Sequence, residues 1–152
     1  MSTNDHDVKI LNGLIETTID SAEGYEEAAK DADNSRYTAA FQSRGSERHQ
    51  VASKLQQQVV TLGGKPEDNG TVLASAHRMF VNLRHTISKG DIAVVDEVER
   101  GEDHIKAKFE DALKNNDLTV ATKQVITDAY ASVRQGHDQM RDLKHALHNQ
   151  QA

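Results

Sequence analysis

Apolar residues recur every three or four positions along most of the chain, and this spacing constrains the fold more than any other feature. Val8, Leu11 and Ile15, for example, begin a stripe with the period of an α-helix. No stretch shows the sustained alternation of apolar and polar residues that is typical of a half-buried strand. The spacing therefore predicts an all-α protein built from long amphipathic helices.

Turn and cap signals divide this pattern into separate helices. The glycine pair at Gly63-Gly64, followed by Pro66, is the clearest of these signals. We predict four long helices and a shorter one between the second and the third long helix. Their predicted ranges are 7–32, 35–62, 71–88, 91–115 and 118–148.

The composition limits what kind of protein this is. The chain has 152 residues, which suits a single domain over residues 1–152. It contains no cysteine, so disulfide and thiolate–metal chemistry are excluded, and a cytoplasmic location is expected. The net charge is -6 with no basic run, which argues against nucleic acid. The sequence contains no apolar stretch long enough to span a membrane. Formation of a homo-oligomer is neither indicated nor excluded by the sequence.

The connection between the second and third long helices predicts the topology. Antiparallel neighbours in a helix bundle need about two to eight linking residues, whereas about 28 separate these two helices. A helix within the link is about 25 Å long, enough to travel most of the length of a bundle. We therefore expect a four-helix bundle with a helical crossover between its two hairpins.

Ionisable residues interrupt the apolar stripe of each long helix. These residues are Glu23, Glu47, Glu99, Glu102 and His137. With the crossover, they fall within about 7 to 8 Å along the bundle axis, whereas an up-down-up-down bundle would spread them over about 15 Å. Carboxylates with one imidazole suit a divalent metal such as iron, manganese or zinc. These five residues are the predicted metal ligands.

Short phrases of the chain resemble a known group of proteins. They are Ala22-Glu23-Gly24-Tyr25, Gly45-Ser46-Glu47-Arg48, Leu62-Gly63-Gly64-Lys65-Pro66 and Glu99-Arg100-Gly101-Glu102-Asp103. With the predicted bundle, they resemble the ferritin-like superfamily. Within it, they resemble a bacterial family of four-helix-bundle proteins catalogued as a domain of unknown function. The similarity covers about residues 7 to 148.

The resemblance implies a di-metal site, of which this chain has only part. Single glutamates match at Glu23 and at either Glu99 or Glu102. Gln50, however, stands where the pattern that starts at Glu47 would have a histidine. Arg134 stands where the pattern that ends at His137 would have a glutamate. A single metal or a metal-free network is therefore expected, with a role in metal handling or stress response.

A metal-free interpretation has equal support from the sequence. Buried glutamates can be neutralised by Arg44, Arg48 or Arg134 in an ion-pair network, with His137 hydrogen-bonded in the core. The protein would then be a non-catalytic helical module that binds a partner through its outer surface. An inward-pointing Arg134 would also close a second metal position. The sequence does not indicate whether any reaction is catalysed.

Overall fold

Four long helices make up most of the described chain. The computed structural model describes residues 3–32, 35–69 and 91–150. The helices are α1 (Thr3–Asp31), α2 (Ser35–Thr61), α3 (Asp91–Leu113) and α4 (Val120–Gln150). No strand occurs within these ranges, which confirms the all-helical class for the described residues. The predicted helix over 71–88 lies outside them.

Local capping chemistry sets the ends of the helices. α2 ends in a Schellman motif, in which Gly64 N donates to Val59 O at 3.0 Å and Gly63 N donates to Val60 O at 2.9 Å. Gly63 has a φ of +81°, a left-handed conformation that glycine adopts without strain. α4 begins at Val120 rather than at the predicted residue 118, because Thr119 caps it: its Oγ1 accepts from Thr122 N.

The helices pack side by side, each against two neighbours. α1 contacts α2 and α3, and α4 contacts α3 and α2. At one end of this bundle, Asn4 of α1 donates to Leu62 O just after α2. At the same end, His6 of α1 contacts Asn115 in the turn between α3 and α4. α2 and α3 therefore both end there, so α3 begins at the opposite end of the bundle.

The apolar core is divided into two clusters by a layer of polar side chains. The cluster near the α3–α4 turn includes Leu11, Leu55 and Phe109. The cluster near the other end includes Phe41 and Met140. Between them lies the polar layer, which we define as Ser21, Arg44, Arg48 and Glu102.

Within the described ranges, no helix has the length and apolar character needed to cross a membrane.

Asp7 joins the start of α1 to the start of α4 from a fully buried position. Its carboxylate accepts a hydrogen bond from Thr119 Oγ1 at 2.6 Å and one from Thr119 N at 3.3 Å. A negative charge is favourable at this point because the N-terminus of a helix carries partial positive charge.

We expect Asp7→Ala to lower the free energy of unfolding by about 1 kcal/mol, the usual loss for a helix cap. Urea unfolding followed by circular dichroism measures this change. Asp5→Ala is the matched control, since Asp5 is exposed in the first turn of α1. Equal losses in the two variants would contradict the capping role of Asp7.

Candidate metal centre

Arg48 and Glu102 form an ion pair at the centre of the polar layer. Arg48 Nη2 donates to Glu102 Oε2 at 2.7 Å, and both side chains are almost fully buried. Arg48 also donates to Ser21 Oγ at 2.8 Å and to Val133 O at 3.3 Å. The pair thus connects all four helices through the middle of the bundle.

Tyr25 completes the hydrogen bonding of Glu102. The Tyr25 hydroxyl donates to Glu102 Oε1 at 2.6 Å, and its ring centre lies 5.6 Å from Arg48 Cζ. Burial raises the pKa of Tyr25 well above its usual value, and the adjacent Glu102 charge acts in the same direction. Burial acts to lower the pKa of Arg48, but Glu102, Tyr25 and Glu47 together outweigh it, so the pKa is raised. Both Glu102 oxygens therefore have a donor, one of them permanently cationic.

Glu47 has its own arginine. Arg44 Nη1 lies 2.7 Å from both Glu47 oxygens, and Ser132 Oγ donates to Glu47 Oε1. Arg44 also donates to Gln139 Oε1. Glu47 is only half-buried, at the groove between α2 and α4. Its negative charge is therefore balanced by a guanidinium at contact distance.

Glu23 lies apart from the other predicted ligands, on the exposed surface of α1. Partial desolvation raises the pKa of its carboxyl group, and the negative charges of Asp20 and Glu26 add to this effect. Glu26 in turn contacts His49 of α2 at 2.6 Å. Glu23 therefore belongs to the outer surface of the α1–α2 hairpin.

Glu99 and His137 do come together, across the contact between α3 and α4. They are joined by Asp103, one turn after Glu99 on α3. One ligand atom from each of the three lies within 4.8 Å of the others. We call these residues the carboxylate–histidine cluster. In the described part of the chain, no other group of three histidine, cysteine or acidic residues meets this spacing.

Carboxylates hold the imidazole of His137 on both sides. Its Nε2 lies 2.7 Å from Asp103 Oδ1, and its Nδ1 lies 3.3 Å from Asp138 Oδ1. The hydrogen bond from His137 lowers the pKa of Asp138. The 2.7 Å contact between Nε2 and Asp103 is a hydrogen bond only when Nε2 carries a proton. In the other neutral tautomer Nδ1 carries the proton and donates to Asp138, which leaves the Nε2 lone pair for a metal ion. This tautomer is the one that metal coordination requires.

The predicted ligands thus lie in four places in the structure. Glu99 and His137 are in the carboxylate–histidine cluster, Glu102 is paired with Arg48, Glu47 is paired with Arg44, and Glu23 is on the surface. Asp103 is a member of the cluster that was not among the predicted ligands. Its spacing of four residues from Glu99, which places both carboxylates on one helix face, is the signal that could have found it.

Arg134 is the one proposed arginine that the structure does not place in the interior. Its side chain is exposed on α4, whereas Arg44 and Arg48 are buried. The interpretation in which Arg134 closes an inner metal position is therefore wrong. Arg48 reaches Glu102 from α2 instead, because a long buried side chain can cross the bundle interior.

Comparison with known proteins identifies a family for most of the chain. No curated protein matches the sequence. A family model described as Domain of unknown function (DUF2383) matches residues 7–115, which contain all of α2 and α3 and most of α1. The matched range includes Glu99 and Asp103, whereas His137 lies beyond it. Because the match covers more than half of the chain, the protein belongs to the family described as Domain of unknown function (DUF2383).

Proposed function

We propose that this protein is a ferritin-like helical bundle that binds one divalent transition metal ion at the carboxylate–histidine cluster. The observation that carries the proposal is the convergence of Glu99, Asp103 and His137 from two facing helices. Two carboxylate oxygens and one imidazole nitrogen suit iron(II), manganese(II) or zinc(II). Magnesium and calcium prefer ligand sets made only of oxygen.

The spacing of the cluster fits this assignment after a small adjustment. Ligand atoms about 2.1 Å from one metal ion lie at most about 4.2 Å apart. In the structure, the three ligand atoms lie within 4.8 Å of one another. The Asp103 side chain is 59% exposed, so it is free to rotate toward an ion. The remaining coordination positions would be taken by water, which makes the bound ion exchangeable.

The charge distribution favours this cluster over the interior glutamates. Glu102 and Glu47 each contact a guanidinium at 2.7 Å, which supplies the positive charge that a metal ion would otherwise bring. A cation bound beside either arginine would be repelled. Among the described residues no arginine contacts Glu99 or Asp103, and the ammonium of Lys144 lies farther from Glu99, at 3.4 Å.

The arrangement of helix ends supports the ferritin-like part of the proposal. α2 ends beside the start of α1, and α3 begins at the other end of the bundle. After α2, the chain turns back along α1 and α2. Two hydrogen bonds show this direction: Glu67 N donates to Asn12 of α1, and Gln56 of α2 donates to Glu67 O. We propose that the link continues in this direction as the crossover of a ferritin-like bundle.

The cellular role that fits an exchangeable site is metal handling. Ferritin-like proteins are the group that the sequence resembles, so we propose iron as the first metal to test and a contribution to stress response. We also propose that the protein is bacterial and that it acts in the cytoplasm.

Equilibrium dialysis of the untagged protein against iron(II), manganese(II), cobalt(II) and zinc(II) tests the proposal. We expect one bound ion per chain, and at least about tenfold weaker binding by Asp103→Asn, which removes one ligand charge. Asp111→Asn, an exposed change on the same helix, should bind like the parent. Glu47→Gln should also leave the affinity unchanged, since Glu47 is paired with Arg44. Equal affinities for Asp103→Asn and Asp111→Asn would refute the site.

A metal-free helical module is the second candidate, and the two interior arginine–glutamate pairs favour it. In such a module the interior glutamates need no metal ion, because Arg48 and Arg44 supply the positive charge. A chelator then leaves the melting temperature unchanged. With a bound metal ion, the chelator lowers the melting temperature toward that of the Asp103→Asn variant.

A further inference from the structure

A lysine stands beside the carboxylate–histidine cluster. Lys144 Nζ of α4 lies 3.4 Å from Glu99 Oε2, so its ammonium contacts one of the proposed ligands directly. Lys144 follows His137 by two helical turns and therefore lies on the same face of α4. This ion pair is not part of the ligand set, and it opposes the binding of any other cation.

Lys144 belongs to a regular series of contacts between α3 and α4. Three carboxylates on one face of α3 each meet a partner on α4: Asp96 meets His148 at 2.8 Å, Glu99 meets Lys144, and Asp103 meets His137 at 2.7 Å. The two outer partners are imidazoles, which can be neutral and can ligate a metal. The middle partner is an ammonium, which has three N–H donors and no lone pair for a metal ion.

Burial shows that this contact affects Glu99 in particular. The Glu99 side chain is 14% exposed, whereas that of Lys144 is 34% exposed. The lysine therefore lies on the solvent side of a carboxylate that has little water of its own. Without a counter-charge, Glu99 and Asp103 would place two negative charges close together at the cluster.

Another cation of α4, Arg141, pairs with carboxylates outside the cluster. Arg141 contacts Asp138 and Asp142, at 3.4 Å and 3.3 Å. Within the described ranges, Lys144 is the only lysine or arginine that forms an ion pair with a cluster residue. Lys144 therefore supplies the positive charge in direct contact with Glu99.

We propose that Lys144 is a built-in counter-ion that occupies Glu99 while the cluster is metal-free and is displaced when a divalent ion binds. This role rests on the proposed function and adds its regulation. The ammonium stabilises the empty cluster and weakens the metal complex, so it sets the affinity in a range where the ion can be released. Neutralisation of Lys144, by substitution or by acetylation, would convert a weak site into a tighter one.

Titration of the full chain with cobalt(II) tests this role. For Lys144→Gln, which keeps most of the side-chain length but removes the charge, we expect about three- to tenfold tighter binding from the loss of one nearby positive charge. Lys144→Arg keeps the charge and should bind within about twofold of the parent. Lys54→Gln is the matched control, because Lys54 is exposed on α2, which contributes no residue to the cluster.

A second readout separates this role from a purely structural ion pair. If Lys144 only stabilises the fold, Lys144→Gln lowers the melting temperature equally with and without cobalt(II). If it competes with the metal, the increase in melting temperature on adding cobalt(II) is larger in Lys144→Gln than in the parent.

The outcomes distinguish the two proposals. Saturable cobalt(II) binding that is weakened by Asp103→Asn but has equal affinity in Lys144→Gln and the parent would overturn the counter-ion role and leave the site intact. Weaker binding by Lys144→Gln would overturn that role as well. Absence of saturable binding in the parent and in Lys144→Gln would overturn the site and the role together.

Discussion

Arg48→Met is expected to lower the free energy of unfolding by about 3 to 5 kcal/mol, because it strands a buried carboxylate without its counter-charge. Glu102 is 1% exposed, and among the described residues Arg48 Nη2 is the only positively charged group that contacts it. The substitution also removes the hydrogen bonds that Arg48 donates to Ser21 and to Val133 O. The main-chain carbonyl of Val133 then has one hydrogen bond fewer in the core. Urea unfolding followed by circular dichroism measures the loss.

A double variant separates the stranded charge from lost packing. In Arg48→Met/Glu102→Gln the buried charge is gone, while the amide oxygen of the new glutamine can still accept from Tyr25. We therefore expect the double variant to be more stable than Arg48→Met by at least about 1 kcal/mol, as is typical of residues that interact directly. Arg134→Ala is the matched control and should change stability by less than about 0.5 kcal/mol, because Arg134 is exposed. A double variant no more stable than Arg48→Met would show that the ion pair is not the cause of the loss.

Gly136→Ala is expected to cost about 2 kcal/mol, within the usual range for inserting a methyl group into a packed core. A Cβ at Gly136 would lie 2.4 Å from Arg48 Nη2 and 3.0 Å from Arg44 Cδ. Both arginines would have to move, yet each is held by a glutamate. The absence of a side chain at Gly136 is therefore what lets two guanidinium groups pass between α2 and α4.

Gly101→Ala is expected to raise the free energy of unfolding, whereas Gly136→Ala lowers it. A Cβ at Gly101 meets no atom within 4 Å, so alanine should stabilise α3 by up to about 1 kcal/mol through its higher helix propensity. The difference in unfolding free energy between the two glycine variants is the quantity to measure. If Gly136→Ala were as stable as Gly101→Ala, the close packing of the arginines against α4 would be refuted.

The positions of the helices follow from the sequence because helix formation depends on local patterns. The 3.6-residue spacing of apolar residues predicted α1 to α4, and the Gly63-Gly64 pair predicted the end of α2, which is a Schellman motif in the structure. The first residue of α1 differs more, since it begins at Thr3 rather than at residue 7. Polar residues in the first turn carry no apolar period, so the pattern gave no signal there.

The sequence also indicated that ionisable residues would face the interior. Glu102, His137, Arg44 and Arg48 are buried, and each interrupts or borders an apolar stripe. A charged residue at a position that periodicity assigns to the core is visible without a structure. It shows that the charge must be paired, hydrogen-bonded or bound to a cation, because an isolated buried charge is too costly.

Which charges meet was decided by the tertiary structure alone. Glu99 and Glu102 are neighbours on α3, yet Glu99 joins His137 and Asp103 at the α3–α4 contact, whereas Glu102 points to Arg48 across the interior. Residues three apart on a helix differ in direction by about 60°, enough to face different neighbouring helices. Position along the bundle axis, which can be estimated from the sequence, contains no information about this rotation. The sequence therefore determined the helices and the inward charges, and the rotation of each packed helix determined their partners.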